Sequence, residues 1–310
     1  MNSNTVGIRS SVSSGFRKLT DGLRATYRSF EGLGCCDQAC FLTLPLLLLY
    51  ADDFWYVRIP VLGLALAGLL FANVRRNPYF WFAITCFLSA GVCYNWWEVD
   101  NHKYLMCYWC LAIFFSLWHP GEGNTLATSA RCLLALTFTL SFVWKLLPAD
   151  FANGNFFIYS FLFDSRFSDK LQLVGLVTSD VLELNDLAQR SLVSYDSQLE
   201  AVDVIYDSRL RSLALGLVWW TWTIEGLLAV CLWIPTRFRL STLRDGLLLV
   251  FVVSTYPVAP VIGFGWLLVA MGFVQAEQHR KKVRLLYLIV LLLLQGFRLP
   301  WSSIAASVSQ

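Results

Sequence analysis

The feature that most constrains this chain is a series of apolar runs, each close to the thickness of a bilayer's hydrocarbon core, separated by short polar stretches. A spanning helix needs roughly 20 apolar residues, and roughly 17 at the short end. Runs of that order lie near residues 38–53, 54–74, 78–95, 104–118, 130–147, 212–234 and 283–299. In lipid, backbone N–H and C=O groups must pair inside their own segment, so these runs predict helices. Ala51-Asp52-Asp53 interrupts the apolar stretch 41–74. This predicts a short first helix, either spanning or re-entrant, and a second helix ended by Arg75-Arg76 and Pro78. Pro257 and Pro260 break the stretch 246–275 into two short helices or a re-entrant hairpin. The expected fold class is all-α: a polytopic transmembrane helix bundle of about 7–9 membrane segments. It carries an amphipathic N-terminal helix and one extended non-cytoplasmic segment.

Composition supports the membrane reading. Hydrophobic residues make up 57% of the 310, which would leave a soluble domain with more exposed apolar surface than water tolerates. The 13 tryptophans suit interfacial belts. Net charge is only +3, and no basic stripe is interleaved with aromatics, which argues against nucleic acid as a partner. The nine cysteines are odd in number and lie mostly in apolar runs, unlike a secreted disulfide framework. Cys107 and Cys110 form a CxxC without a second pair or a histidine at ligand spacing. Packing of small apolar side chains is therefore expected there, rather than redox chemistry or a metal.

Lysine and arginine in short loops set the orientation. Basic clusters sit at 1–34, at Arg75-Arg76, at Arg237, Arg239 and Arg244, and at Arg280-Lys281-Lys282-Arg284. All are placed in the cytoplasm, with the N-terminus. No apolar core of a signal peptide follows the basic start, and no cleavage site is seen. Counting spans then puts the loop 98–103 and the segment 148–211 outside. The latter holds ten Asp/Glu against five Lys/Arg. Three units follow: a cytoplasmic basic segment 1–37, a bundle 38–300 that includes 148–211, and a tail 301–310. Phe16, Leu19, Leu23, Tyr27 and Phe30 recur at helical steps, which predicts a helix lying on the cytoplasmic leaflet or capping the bundle. In 148–211, Phe156, Phe157, Tyr159, Phe161, Leu162 and Phe163 predict packing on the membrane surface. Leu184, Leu187, Leu192, Tyr195, Leu199, Val202 and Tyr206 predict one or two amphipathic helices over the outer mouth.

Three features could carry chemistry. The loop from Trp96 to Leu105 sets Glu98, Asp100, Asn101, His102 and Lys103 against an aromatic interface. His102 is its natural acid/base group, because imidazole exchanges protons near neutral pH; the alternative is a locally bonded headgroup-level loop. Lys145 is a solitary charge near the outer end of its span, either a snorkelling anchor or a desolvated amine able to act as a base. By topology it lies at the depth of His102. Glu225 sits about 13 residues into its span, roughly 20 Å deep at 1.5 Å per residue. A carboxylate there must be neutral or paired, and Arg58 and Arg298 are candidate partners. No P-loop, GxSxG, HExxH or histidine pair at helical spacing occurs, so neither a metal site nor a resident cofactor is expected.

Asp100-Asn101-His102-Lys103-Tyr104-Leu105, opening an apolar helix, resembles the N-H-x-Y-L signature of the HTTM family. That is the horizontally transferred transmembrane domain, related to the membrane part of vitamin K-dependent gamma-carboxylase. Lys145-Leu146 with Asp150-Phe151 is similar to the family's K-L segment, and Glu225 with Pro235, Arg237 and Arg239 to its intramembrane glutamate, proline and cytoplasmic arginines. The order of these motifs holds over roughly residues 40–300. The resemblance implies an outer-facing active site in which Lys145 acts as the base and His102 assists, with Asp100, Asn101, Tyr104 and Glu225 as substrate-binding or structural residues. It also implies a reduced quinone as co-substrate, a hydrophobic small molecule or a secreted peptide as partner, and a multi-pass cell-membrane location, a bacterial inner membrane being the plausible one. Two departures count against carboxylation of protein glutamate. The carboxylase carries a large lumenal domain after its membrane part, whereas this sequence runs to Gln310. The span after the arginines reads Leu249-Val250-Phe251-Val252 where a polar residue is common. The expectation is therefore acid/base chemistry on a quinone-like or lipid-soluble compound. The alternative is a non-catalytic carrier or maturation helper with Glu225 as its proton-coupling or structural site.

Overall fold

The computed structural model describes residues 22, 25–50, 54–120, 124–164, 167–168, 171–172, 174–193, 204–259, 261–276 and 280–296, with 191–193 as backbone only. Of these, 83% are helical and none is in a strand. Short α1 (Ala25–Glu31) turns by 119° into α2 (Cys35–Tyr50). There follow α3 (Trp55–Leu70), α4 (Ala72–Arg75), α5 (Pro78–Tyr94), α6 (Asn101–Trp118) and α7 (Thr125–Leu146). The segment after α7 holds α8 (Ala149–Ala152), α9 (Asn155–Phe163) and α10 (Ser179–Val193). The chain then returns through α11 (Ser208–Trp233), a 3₁₀ turn (Arg239–Leu243), α12 (Arg244–Thr255), α13 (Ile262–Gln275) and α14 (Lys281–Gly296).

Local chemistry sets several of these boundaries. Asn77 caps α5 by accepting the Tyr79 N–H, with Pro78 at the first helical position, where its missing N–H costs nothing. Asp207 caps α11 through the Arg209 N–H. The Pro257/Pro260 stretch divides two helices, as expected. They run antiparallel: Gln275 at the end of α13 donates to Asp245 at the start of α12. Two helices, α7 and α11, are long and apolar enough to cross a membrane singly, and α3, α5 and α13 are shorter apolar helices.

Helix α13 is the axis of the main core. Nearly all of its residues are buried, including Leu267, Leu268, Val269, Ala270 and Met271, and it packs against α2, α7 and α14. That explains why it is apolar on every face. Indole N–H groups join neighbouring helices: Trp266 donates to the Leu42 carbonyl at 3.0 Å and Trp109 to the Thr43 hydroxyl at 2.8 Å. Cys107 and Cys110 are buried within α6.

The two ends of the bundle differ. At one end, aromatic side chains link the start of α3 to the end of α5 through Tyr56 and Tyr94, and Trp55, Trp96, Trp97 and Trp144 stand exposed. At the other, Arg76 pairs with Asp37, Lys281 with Glu31 and Arg280 with Asp245. Helix α1 closes this basic end, with Phe30 against Phe41 and Phe273. The described part of the N-terminal stripe thus caps the bundle; Phe16, Leu19 and Leu23 lie outside the described residues.

A second, smaller core joins α9 to the first half of α11 through Ile158, Phe161, Leu162, Leu210 and Ala214. Gly154, at φ +83, makes the turn into α9, and a side chain there would press on Ala214. The expected apolar stripe of α10 is corrected at two positions. Leu184 and Leu187 are more than half exposed, while the buried residue between them is Asn185. Its amide bonds the Ile205 N–H and C=O, so a polar clamp rather than a leucine face seats this helix. Leu192, Tyr195, Leu199 and Val202 lie outside the described side chains.

Candidate functional site

Ser141 and Lys145 are one turn apart near the end of α7 and therefore share a face. That face meets α11, which runs antiparallel to α7. Three contacts fix the register. Trp222 donates its indole N–H to the Lys145 carbonyl at 3.3 Å, Glu225 meets both Ser141 and Lys145, and Trp233 donates to the Thr139 hydroxyl at 2.9 Å. The first contact also satisfies a carbonyl in the last turn of α7, which has no partner within the helix. Helix α7 thus ends level with Trp222. The first 14 residues of α11, about 21 Å at 1.5 Å per residue, extend beyond it to form the second core. Glu225 therefore lies about one turn from the level at which α7 ends.

The polar groups close into a ring. The Lys145 ammonium bonds Glu225 Oε1 and also the Ser141 hydroxyl at 2.8 Å; the same hydroxyl donates to Glu225 Oε2 at 3.0 Å. Both carboxylate oxygens of Glu225 thus have donors. The Glu225 side chain is 5% exposed and that of Lys145 24%, so the pair opens outward on the lysine side. Phe151, just past the end of α7, places its ring 6.0 Å from the ammonium and 6.2 Å from the Trp222 ring. Gly226 admits Phe142 at 3.1 Å from where a Cβ would stand, which lets the helices approach closely. Tyr256, buried at the end of α12, lies within electrostatic range of Glu225. Among the described residues the partner of Glu225 is Lys145, not Arg58. Arg58 is exposed on α3, and Arg298 lies outside the described residues.

An ammonium–carboxylate pair held this way can do two things. The carboxylate can accept a proton from a weak acid, and the ammonium can hold the anion that remains.

His102 occupies the first turn of α6 at the same aromatic end. Its Nδ1 stands 3.8 Å from the Asp100 carboxylate, and its ring lies 6.3 Å from Phe264 on α13. Asp100 precedes the helix and is 70% exposed, Asn101 begins it and is exposed, and Tyr104 donates to the Trp96 carbonyl at 2.9 Å. Helices α6 and α7 are packed neighbours joined by a short connection, so His102 and Lys145 stand at one end of the bundle. Their contacts are different: His102 faces Asp100 and Phe264, and Lys145 faces Ser141 and Glu225. Sequence reading missed Ser141, Trp222 and Tyr256. The four-residue spacing of Ser141 from Lys145 was a usable signal; nothing local connects Tyr256 to Glu225. Among the described residues no His, Cys, Asp and Glu cluster could hold a metal ion.

Compared with known proteins, the chain matches no family model, no curated protein and no solved structure.

Proposed function

We propose that this chain is a multi-pass membrane protein of about 7–9 segments, basic end in the cytoplasm. In this reading the Lys145–Glu225 pair at its outer end abstracts a proton from a hydrophobic, weakly acidic substrate such as a quinol. The observation that carries the proposal is the buried pair itself, drawn from two separate helices and closed by Ser141. Taking a carboxylate and an ammonium out of water costs several kcal/mol per ion before their attraction repays it. An apolar pair of equal volume would hold two helices at least as well. Lys145 and Glu225 also come from two of the motifs that resemble the HTTM family. In the proton step, the substrate O–H bond breaks, its proton goes to a Glu225 carboxylate oxygen, and the substrate oxyanion is held by the Lys145 ammonium. Trp222, partly exposed and backed by the buried Phe151, offers an aromatic surface for a ring. His102 stands ready as a second proton acceptor at the same end.

A hydrophobic naphthol tests this, because its anion absorbs at longer wavelength than the neutral form. Protein in nanodiscs is expected to ionise bound naphthol below the pH at which free naphthol ionises. Lys145→Ala, which removes the cation that holds the anion, should abolish the shift. Binding with no spectral shift in the wild-type protein would remove the proposal. The carrier alternative draws on the depth of Glu225 burial, at 3% exposure. It predicts transport lost in Glu225→Gln and retained in both Lys145→Ala and His102→Ala.

A further inference from the structure

The basic end holds a second group of buried charges, unrelated to the Lys145–Glu225 pair. Asp245, 1% exposed, accepts from Gln275 at 3.0 Å and from the Tyr287 hydroxyl at 3.1 Å, and it pairs with Arg280 at 2.5 Å. Its charge is thus fully met. Arg244, the preceding residue and first in α12, is only 4% exposed, yet its Nε and Nη1 have no acceptor among the described residues. Its guanidinium is close enough to Tyr287 to act on it electrostatically. Among the described residues the group Arg244, Asp245 and Arg280 therefore carries one more positive than negative charge, at the positive end of a twelve-residue helix.

A buried guanidinium with unused donors is costly, more so than any neutral polar group. Its planar fork suits two oxygens of one anion, as in arginine–phosphate pairs. At the same end of the bundle the Nε atoms of Arg75 and Arg284 are likewise buried without a hydrogen-bond acceptor, although Arg75 stands 3.8 Å from Asp37 and Arg284 donates to Gln38 through its Nη2. Gln275 Oε1 is a buried acceptor without a donor, which suits a hydroxyl or ammonium attached to the anion. We infer that Arg244 forms a site for a phosphate oxyanion, carried by a phospholipid headgroup of the inner leaflet or supplied as free phosphate. Basic pockets between helices on the cytoplasmic side are suited to phospholipid headgroups.

The test uses the purified full chain in detergent, with thermal unfolding followed on addition of phosphatidylglycerol, phosphatidylcholine or inorganic phosphate. The site predicts stabilisation by phosphatidylglycerol, with half-saturation at least about tenfold lower than for phosphatidylcholine. Stabilisation by inorganic phosphate alone would identify free phosphate as the source. Either response should vanish in Arg244→Gln and persist in Arg237→Gln, an exposed arginine on the same side. If Arg244→Gln does not fold, Arg244→Lys keeps the charge, loses the fork and should weaken the response by about tenfold. No response in the wild-type chain, or an equal response in wild type and the Arg244 variants, overturns the site.

Discussion

The ring formed by Lys145, Glu225 and Ser141 makes an energetic prediction at single residues. Removing one member of a buried pair leaves the other charge uncompensated, which costs about 3–5 kcal/mol. Lys145→Met and Glu225→Gln should each destabilise by that order. The double variant should cost much less than the sum, because neither ion is left alone. Ser141→Ala should cost about 1–3 kcal/mol, since Glu225 Oε2 then loses its donor. Reversible unfolding in mixed micelles, read as a double-mutant cycle, measures the coupling; additive single costs would show that the two ions do not interact. Sequence reading identified Lys145 and Glu225 because a charge in an apolar run is conspicuous. It could not pair them, since 80 residues separate the two and nothing local sets the register of α7 on α11.

Among the helices, the tightest approach is at Gly272 of α13. A Cβ there would stand 2.6 Å from the Tyr287 ring and 2.8 Å from Leu248. Tyr287 cannot retreat easily, because it is fully buried and its hydroxyl donates to Asp245. Gly272→Ala should therefore overpack the junction of α12, α13 and α14, at about 1–3 kcal/mol. Gly63 of α3 has open space around its Cα, and Gly63→Ala should stabilise by about 0.5–1 kcal/mol through helix propensity. Opposite signs in thermal unfolding of the two variants are the expected result; loss at both positions would mean that α3 makes a contact beyond this chain. Helix ends were legible wherever Pro, Asn or a charge stops a run, as at Asn77-Pro78 and Pro257. The face of α10 was not. Periodicity records which residues share a side, and the Asn185 clamp, a contact with Ile205 20 residues away, decides which side is buried.

The whole molecule presents a bundle with an aromatic end and a basic end. That asymmetry has a physical cause in a membrane: indoles settle at the headgroup level, while lysine and arginine are retained in the cytoplasm. Sequence alone supplied both ends, because each is written in short loops. It did not supply the central place of α13, which reads only as one more apolar run. If the asymmetry is topological, each end must meet a different compartment. Cysteines placed singly at Asp150 and Asp180, both exposed, should react with a membrane-impermeant maleimide in intact cells. Those at Arg237 and Lys282, equally exposed, should react only after permeabilisation. Cys86 and Cys93, both exposed on α5, are replaced by serine in the background, and Cys35 and Cys36 sit at the basic end. A reversed pattern would turn the Lys145–Glu225 pair to the cytoplasm and the Arg244 group to the outer leaflet. Reaction at all four positions without permeabilisation would mean that the bundle does not separate two compartments. In that case the cost of holding Glu225 out of water would need a different explanation from the one the bilayer provides.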